Sequence, residues 1–424
     1  MNYTKHKLKN GLRVILAPLE STETATVLFL IGTGSKNEIK ENSGISHFLE
    51  HIFFKGTEKR PNTLAISEEL DGVGGVYNAF TGKEYTGFYV KLAHLHLPLA
   101  LDVMSDMLLN SKMDEAEIEK EKGVILEEIK LYHDTPTAYV GELFEQLLYG
   151  DTPAGRDIIG TKENISSFRR KDFIDYLKAQ YGTDNSILVV SGKFDPKEAL
   201  ELAEKHFAPY PDQATNKKLP TEEKQTQPNS LIRPKETDQT HLCLGVRSYD
   251  MFNKKRYGLA VLDTILGGGM SSRLFINIRE KEGLCYYIGS GQESYTDTGY
   301  LMVQAGINHK NIEKMIKLIL KEFDDLKKRP VPKRELDKAR DYMKGTTLIA
   351  LETSDSIASF LGKQELLKKE IRLPAELFKE LDKVTPEDIQ EIAKEIFIEK
   401  NLNLSIIAPK KEIPVSINNL LTFS

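Results

Sequence analysis

Apolar and polar residues alternate in two distinct ways along the chain. Short apolar runs bounded by turn residues, such as those beginning at Leu12, Ala25 and Ser186, are typical of β-strands. Longer segments, such as those from His96 and Asn311, repeat apolar residues every three or four positions and predict amphipathic helices. Because strands and helices are not evenly interleaved, the pattern favours an α+β fold over a doubly wound α/β fold.

The chain also resembles itself at a nearly constant spacing. Three pairs of segments match in the same order, at offsets of 212, 218 and 216: TGFYVKLA at 86–93 with TGYLMVQA at 298–305, the segment from Glu117 with that from Glu335, and the segment from Arg170 with that from Pro386. Three ordered matches indicate two homologous halves of roughly 210 residues. In each half we expect a mostly antiparallel sheet packed with helices.

A polar connection separates the two halves. The stretch Tyr210–Ser230 contains proline and many polar residues and shows no apolar period, which is typical of a linker. We therefore predict an N-terminal domain at residues 1–219 and a homologous C-terminal domain at residues 220–424.

Composition narrows the function classes. The 424 residues are 40% hydrophobic and 29% charged, which excludes a wholly disordered chain. The net charge of −5 argues against a dedicated nucleic-acid binder. Two cysteines, Cys243 and Cys285, make no disulfide framework, and neither a secretory signal nor an 18-residue apolar run is visible. We expect a cytoplasmic protein without nucleic-acid or membrane partners.

Candidate chemistry is concentrated in the segment SGISHFLEHIFFKGT from Ser43. His47 and His51 are four residues apart, so on a helix both imidazoles point from one face and can bind one cation. Glu50 lies on nearly the same face. Two imidazoles, a carboxylate and a water form a four-coordinate hydrolytic zinc site, and the order H-x-x-E-H is that of the inverzincins.

A third protein ligand has to come from elsewhere in the chain. The helix-like segment EAEIEKEKGVILEEIKLYH contains several acids. Glu121 and Glu128 are two turns apart and share a face, whereas Glu127 lies about 100° away from Glu128. Spacing alone does not choose among these acids.

The sequence His47-Phe48-Leu49-Glu50-His51, followed after 76 residues by Glu128, resembles the signature of the pitrilysin/insulinase family of zinc metallopeptidases, in particular its processing-peptidase subgroup. The resemblance extends over essentially the whole chain. It implies that His47, His51 and Glu128 ligate one Zn²⁺ per chain and that Glu50 is the general base. It also implies that Glu121 orients a ligand histidine from outside the coordination shell.

The second half lacks these groups at the matching positions. The offset of 212 places Leu259, Leu262 and Asp263 opposite His47, Glu50 and His51, in that order. The offset of 218 places Ala339 opposite Glu121 and Thr346 opposite Glu128. We therefore expect a single metal site, in the first half.

The same resemblance assigns residues to the substrate. Arg279 and Tyr286, seven residues apart, match the family's other marker, an Arg and a Tyr that hold the substrate and its tetrahedral oxyanion. Asn78, Ala79 and Thr81 match an edge strand that pairs with an extended peptide by β-augmentation.

These expectations predict a zinc metalloendopeptidase that hydrolyses short or unfolded peptides in a chamber formed by two chains. We expect a homodimer, with a heterodimer left open. The alternative from another class is a non-catalytic scaffold subunit, or one half of a heterodimeric processing peptidase. The sequence leaves open the substrate, the cleavage specificity, a processing or scavenging role, and the metal bound on purification.

Overall fold

The computed structural model describes residues 1–414 and 417–423. In the described part of the chain, the strands are β1 (Thr4–Lys7), β2 (Arg13–Pro18), β3 (Thr24–Ile31), β4 (Val76–Thr81), β5 (Thr86–Ala93), β6 (Ser186–Gly192), β7 (Asn229–Pro234), β8 (Thr240–Ser248), β9 (Cys285–Ser294), β10 (Gly299–Ile307) and β11 (Leu402–Ala408).

The α-helices of the same residues cover the stretches between the strands. They are α1 (Ile45–Phe53), α2 (Thr63–Asp71), α3 (Leu97–Asn110), α4 (Glu115–His133), α5 (Pro136–Tyr149), α6 (Lys162–Ser167), α7 (Arg170–Gln180), α8 (Pro196–Phe207), α9 (Arg256–Gly267), α10 (Ile312–Lys328), α11 (Lys333–Ala350), α12 (Ser354–Lys368), α13 (Pro374–Lys383) and α14 (Pro386–Ile396). None of the helices in the described residues combines the length and apolar character needed to cross a bilayer.

Each half contains one sheet, and the two sheets share a topology. The first runs in the order β1-β2-β6-β3-β5-β4 and the second in the order β7-β11-β8-β10-β9. The pairs β2–β6 and β7–β11 are parallel, and the other pairs are antiparallel. Apart from β1, each strand of the first sheet has a counterpart at the same place in the second. The prediction of an α+β fold with two homologous halves and mostly antiparallel sheets is confirmed.

By its internal contacts the chain divides into two compact units. Unit 1 comprises Met1–Lys130, Arg156–Leu219 and Leu348–Leu373, and unit 2 comprises Leu131–Gly155, Pro220–Thr347 and the chain from Pro374 onwards. These units differ from the predicted ranges 1–219 and 220–424, because two internal segments belong to the unit of the other half. The predicted ranges remain a proposal about the repeat.

Each half of the sequence contributes one helix to the unit of the other half, α5 to unit 2 and α12 to unit 1. The alternation of side chains along β3 explains why unit 1 needs such a helix. Phe29 points into a core made by α1, α3 and α8, where it stacks on Phe207. Leu28 and Leu30 point from the opposite face and pack against α12, a helix from the second half of the sequence. An apolar face of a sheet must be covered. In unit 1 the covering helix is α12, and in unit 2 the corresponding helix, α5, comes from the first half.

Candidate metal centre

Helix α1 presents the H-x-x-E-H residues, and a buried carboxylate caps its start. Glu38 accepts hydrogen bonds from the N–H groups of Gly44 (2.8 Å) and Ser46 (2.9 Å). These N–H groups have no partner within the helix, so the two oxygens of Glu38 satisfy donors that would otherwise be buried without an acceptor. Burial raises the pKa of Glu38 to about 7, and the two hydrogen bonds oppose that shift. Gly44 has a φ of +99°, and a Cβ there would lie 2.8 Å from Cα of Gly160, so only glycine fits.

Three donor atoms converge between α1 and α4. Nε2 of His47 lies 3.7 Å from Oε1 of Glu128, and Nε2 of His51 lies 3.6 Å from Oε2 of the same carboxylate. One such atom from each residue lies within 4.8 Å of the others. The two distances are too long for hydrogen bonds. They are close to the edge of a zinc tetrahedron, which is about 3.4 Å for bonds of about 2.1 Å. The residues therefore fit a bound zinc ion.

Burial keeps the first of these imidazoles neutral. Desolvation, and then the neighbouring His51, lower the pKa of His47 to about 3. Its Nδ1 is buried and has no hydrogen-bond partner among the described residues. A metal at Nε2 would be the polar partner of this ring, and a neutral imidazole is the form that ligates metals. Burial raises the pKa of Glu128, which an adjacent cation would oppose.

The second imidazole is held from outside the cluster. Nδ1 of His51 lies 2.9 Å from Oε1 of Glu121, which leaves Nε2 directed towards Glu128. The other oxygen of Glu121 lies 2.6 Å from Nζ of Lys55. Burial would raise the pKa of Glu121, but the hydrogen bonds from His51 and Lys55 outweigh burial, so its pKa is lowered. The Glu121 carboxylate is therefore ionised and can accept a hydrogen bond from the N–H of His51.

Glu50 lies beside the ligand atoms and has a partner of its own. Its Oε2 accepts a hydrogen bond of 2.6 Å from the hydroxyl of Thr81. Burial raises the pKa of Glu50, and the Thr81 hydrogen bond and His51 oppose that shift. A carboxylate with a raised pKa is suited to take up a proton near neutral pH.

The predicted substrate strand is β4, at the edge of the first sheet. In β4, Ala79 packs into the core and Asn78 is exposed, while Thr81 reaches Glu50. The side of β4 away from β5 has no strand partner among the described residues. This edge can pair with an added strand, although the N–H of Ala79 donates a hydrogen bond of 2.8 Å to Oδ1 of Asn78 and would have to exchange that acceptor for one on the added strand.

Arg279 and Tyr286 lie together in unit 2. Arg279 belongs to a π-helical segment, Phe275–Glu280, and Tyr286 belongs to β9. The guanidinium carbon of Arg279 lies 4.5 Å from the ring centroid of Phe275 and 5.8 Å from that of Tyr286. Tyr286 is 78% exposed, so its hydroxyl is available to a ligand.

The counterpart positions in unit 2 show no ligand set. Leu259, Leu262 and Ala339 are buried in its core, and Thr346 bonds to the backbone of its own helix. The carboxylate of Asp263 accepts a hydrogen bond from Ser290. Within residues 1–414 and 417–423, no group of three or more His, Cys, Asp or Glu side chains other than that of His47, His51 and Glu128 is close enough to hold a metal.

The structure distinguishes acids that spacing alone left open. Glu127 is exposed and pairs with Lys130, whereas Glu121 and Glu128 reach α1. Sequence reasoning missed Lys55 and Glu38. Lys55 lies four residues after His51, a spacing that could have pointed to it; no comparable signal marks Glu38.

Comparisons with known proteins identify the family and the fold. A family model described as "Insulinase (Peptidase family M16)" matches residues 13–162, and one described as "Peptidase M16 inactive domain" matches residues 167–343. Solved structures share the fold. A protease from Helicobacter pylori has a TM-score of 0.89 at 24% identity, covering 96% of this chain and 99% of that one. A peptidase M16 inactive domain from Pseudomonas fluorescens has a TM-score of 0.88 at 17% identity, covering 97% and 99%.

Curated relatives match over nearly their full lengths. The uncharacterized zinc protease YmxG of Bacillus subtilis is 36% identical over 410 residues, which are 97% of this chain and 99% of that protein. An uncharacterized zinc protease of Rickettsia felis is 34% identical over 397 residues, 93% of this chain and 95% of that protein. Both the family models and these relatives lead to one assignment: the chain belongs to the insulinase family of peptidases, family M16.

Proposed function

We propose that this protein is a zinc-dependent endopeptidase that cleaves short or unfolded peptides. The observation that carries the proposal is the convergence of two imidazoles and a carboxylate, from α1 and α4, with the half-buried carboxylate of Glu50 beside them. The names of the curated relatives support zinc as the metal and proteolysis as the activity.

The residues of this site have three separate roles. His47, His51 and Glu128 would hold zinc, which when bound makes a nearby water more acidic and polarises a carbonyl. Glu50 takes the proton of the attacking water and passes it to the nitrogen of the leaving amine. Thr81 holds the Glu50 carboxylate by the hydrogen bond of 2.6 Å.

The substrate class follows from an edge strand. A peptide that adds to β4 must present free backbone N–H and C=O groups, which excludes segments already paired in a folded protein. Asn78, Ala79 and Thr81 would contribute mainly backbone pairing. Arg279 and Tyr286 would donate hydrogen bonds to the oxyanion that forms on the scissile carbonyl.

We further propose that two copies of the chain enclose the substrate. One chain carries both the zinc residues and the Arg279–Tyr286 pair, so a homodimer contains every group and Arg279 and Tyr286 can act in trans. Light scattering combined with size-exclusion chromatography of the active protein tests this: a dimer is expected, and an active monomer would contradict the chamber. Mixing a zinc-site variant with a variant of Arg279 should restore cleavage if the groups act in trans.

The peptidase activity itself is tested with a mixture of unstructured peptides. We expect the wild type to cleave, Glu50→Gln to lose at least about 10³-fold in kcat while retaining zinc, and chelation to abolish cleavage until zinc is returned. Glu58→Gln, an exposed acid near the same helix, is the matched control and should cleave like the wild type.

The outcome that contradicts the proposal is equally specific. A wild-type chain that binds zinc and cleaves none of the peptides would support the scaffold role or the heterodimer. The second of these would then be tested by adding candidate partner chains.

A further inference from the structure

We propose that Lys55 is a positioning residue of the metal centre. By binding one oxygen of Glu121, its ammonium holds the carboxylate whose other oxygen accepts the N–H of His51. The orientation of a ligand ring would then depend on a lysine that does not touch the metal. This inference rests on the proposed zinc site but not on the proposed cleavage.

The contacts form a short chain across two helices. Lys55 lies just beyond the end of α1, where its N–H bonds to the carbonyl of Ile52 at 3.0 Å. Its Nζ reaches α4 and lies 2.6 Å from Oε2 of Glu121. Oε1 of Glu121 lies 2.9 Å from Nδ1 of His51. Each oxygen of one carboxylate therefore has one donor, and both donors come from the α1 segment.

Burial separates this pair from the other ion pairs on α4. The side chain of Glu121 is 6% exposed, whereas Glu119, which pairs with Lys122 at 2.6 Å, is 68% exposed. An exposed carboxylate that loses its lysine is solvated by water. A buried carboxylate that loses its lysine has one oxygen without a donor, and it will turn towards solvent. His51 then loses the acceptor that fixes its ring and its tautomer.

A purely electrostatic role and a positioning role of Lys55 predict opposite changes in zinc affinity when the lysine is removed. The direction of that change therefore distinguishes the two roles. A lysine acting only as a nearby positive charge repels Zn²⁺, and its removal would tighten zinc binding. A lysine that positions Glu121 supports His51, and its removal would weaken zinc binding. Loss of a partner outside the coordination shell typically costs about 10–100-fold in metal affinity.

The experiment measures zinc affinity of the full chain by competition with a chromophoric chelator. We expect Lys55→Met to bind zinc about 10–100-fold more weakly than the wild type. The visible d–d spectrum of the Co²⁺-substituted variant should also differ from that of the wild type, because His51 no longer has a fixed orientation. Lys130→Met removes a pair of the same helix in which both side chains are exposed, Lys130 at 66% and Glu127 at 73%, and it should match the wild type in both measurements.

A double variant tests whether Lys55 affects zinc binding through Glu121. In the Glu121→Gln background, Lys55→Met should change zinc affinity by less than about twofold, because the residue through which Lys55 acts has been altered. Unchanged or tighter zinc binding by Lys55→Met overturns the proposal, as does an undiminished effect in that background. If Lys55→Met does not fold, Lys55→Gln replaces it, with the same expected direction. Failure to cleave peptides while zinc is bound normally would contradict the proposed function alone.

Discussion

The hydroxyl of Thr81 donates a hydrogen bond of 2.6 Å to Oε2 of Glu50. This bond joins the edge strand β4 to helix α1, so the proposed general base is held by the strand on which a peptide is expected to lie. Because Thr81 lowers the pKa of Glu50 against the effect of burial, the same bond sets the pH at which the base is ionised.

Thr81→Val should move the acid limb of the pH profile to higher pH. The donor is lost, so the pKa of Glu50 rises. The base works as a carboxylate, so less of it is active at a given pH. A hydrogen bond to a charged acceptor contributes about 1.5–3 kcal/mol, and we expect a displacement of about 1 pH unit in kcat/KM.

Thr81→Ser is the control for this prediction because it retains the hydroxyl. Its acid limb should lie near that of the wild type. A Thr81→Val profile that falls in height at all pH values without shifting would instead indicate a role in substrate pairing only.

Glu128→Gln should lose zinc affinity by at least about 10-fold, because an amide oxygen is a weaker zinc ligand than a carboxylate. Its neighbour provides the matched control: Glu127 is 73% exposed and pairs with Lys130, so Glu127→Gln should bind zinc like the wild type. Equilibrium dialysis against a zinc buffer measures both. Equal affinities in the two variants would remove Glu128 from the ligand set.

Gly362→Ala should destabilise unit 1. Gly362 lies on α12 against β3, and a Cβ would approach Cδ1 of Leu30 to 2.7 Å in a packed core. Overpacking of this kind costs about 1–3 kcal/mol in the free energy of unfolding, measured by urea denaturation.

The matched substitution is Gly345→Ala on α11. No atom of the described residues lies within 4 Å of a Cβ at that position. Alanine is favoured over glycine within a helix, so this variant should be more stable by up to about 1 kcal/mol. Equal effects at the two glycines would show that α12 does not pack closely on β3.

Asp263→Asn should stabilise the protein at neutral pH. Burial raises the pKa of Asp263 to about 6, although Ser290 donates a hydrogen bond to it. The raised pKa means that the charged form disfavours the folded state, so stability falls as pH rises from about 4 to about 6. Asparagine carries no charge, and we expect a gain of about 1–2 kcal/mol above pH 6.

The difference in stability between the wild type and Asp263→Asn should disappear at low pH. Below about pH 3, Asp263 is protonated in both the folded and the unfolded protein, so the wild type and the variant should be nearly equally stable. Thermal unfolding between about pH 3 and pH 8 measures the difference. A difference that does not change with pH would assign the effect to packing instead of charge.

Residues 1–219 expressed alone should not form a stable unit. This fragment lacks α12, so the apolar residues that it covers on the first sheet would be exposed: Leu28, Leu30, Ile187 and Val189. We expect aggregation, monitored by light scattering, and no cooperative unfolding transition. A chain in which residues 348–373 are added back through a flexible linker should recover that transition. A soluble, cooperatively unfolding fragment 1–219 would contradict the prediction.

Local patterns determined much of what this protein is. A spacing of four residues places His47 and His51 on one helix face by helix geometry alone, and the repeat with an offset near 216 predicted two similar sheets. The polar stretch after Tyr210 contains no helix or strand until β7 begins at Asn229. These features depend on residues close in sequence, whose relative positions the backbone constrains.

The tertiary structure decided what depends on distant residues. The helical period places Glu121 and Glu128 on the same face of α4. Only the packing of α4 against α1 brings Glu121 to Nδ1 of His51 and Glu128 to the Nε2 atoms of both imidazoles. Lys55 becomes relevant only through that packing. The exchange of α5 and α12 likewise follows from which sheet face each helix covers. An amphipathic pattern shows that a helix buries one face, but it does not name the partner, because apolar contacts are not directional.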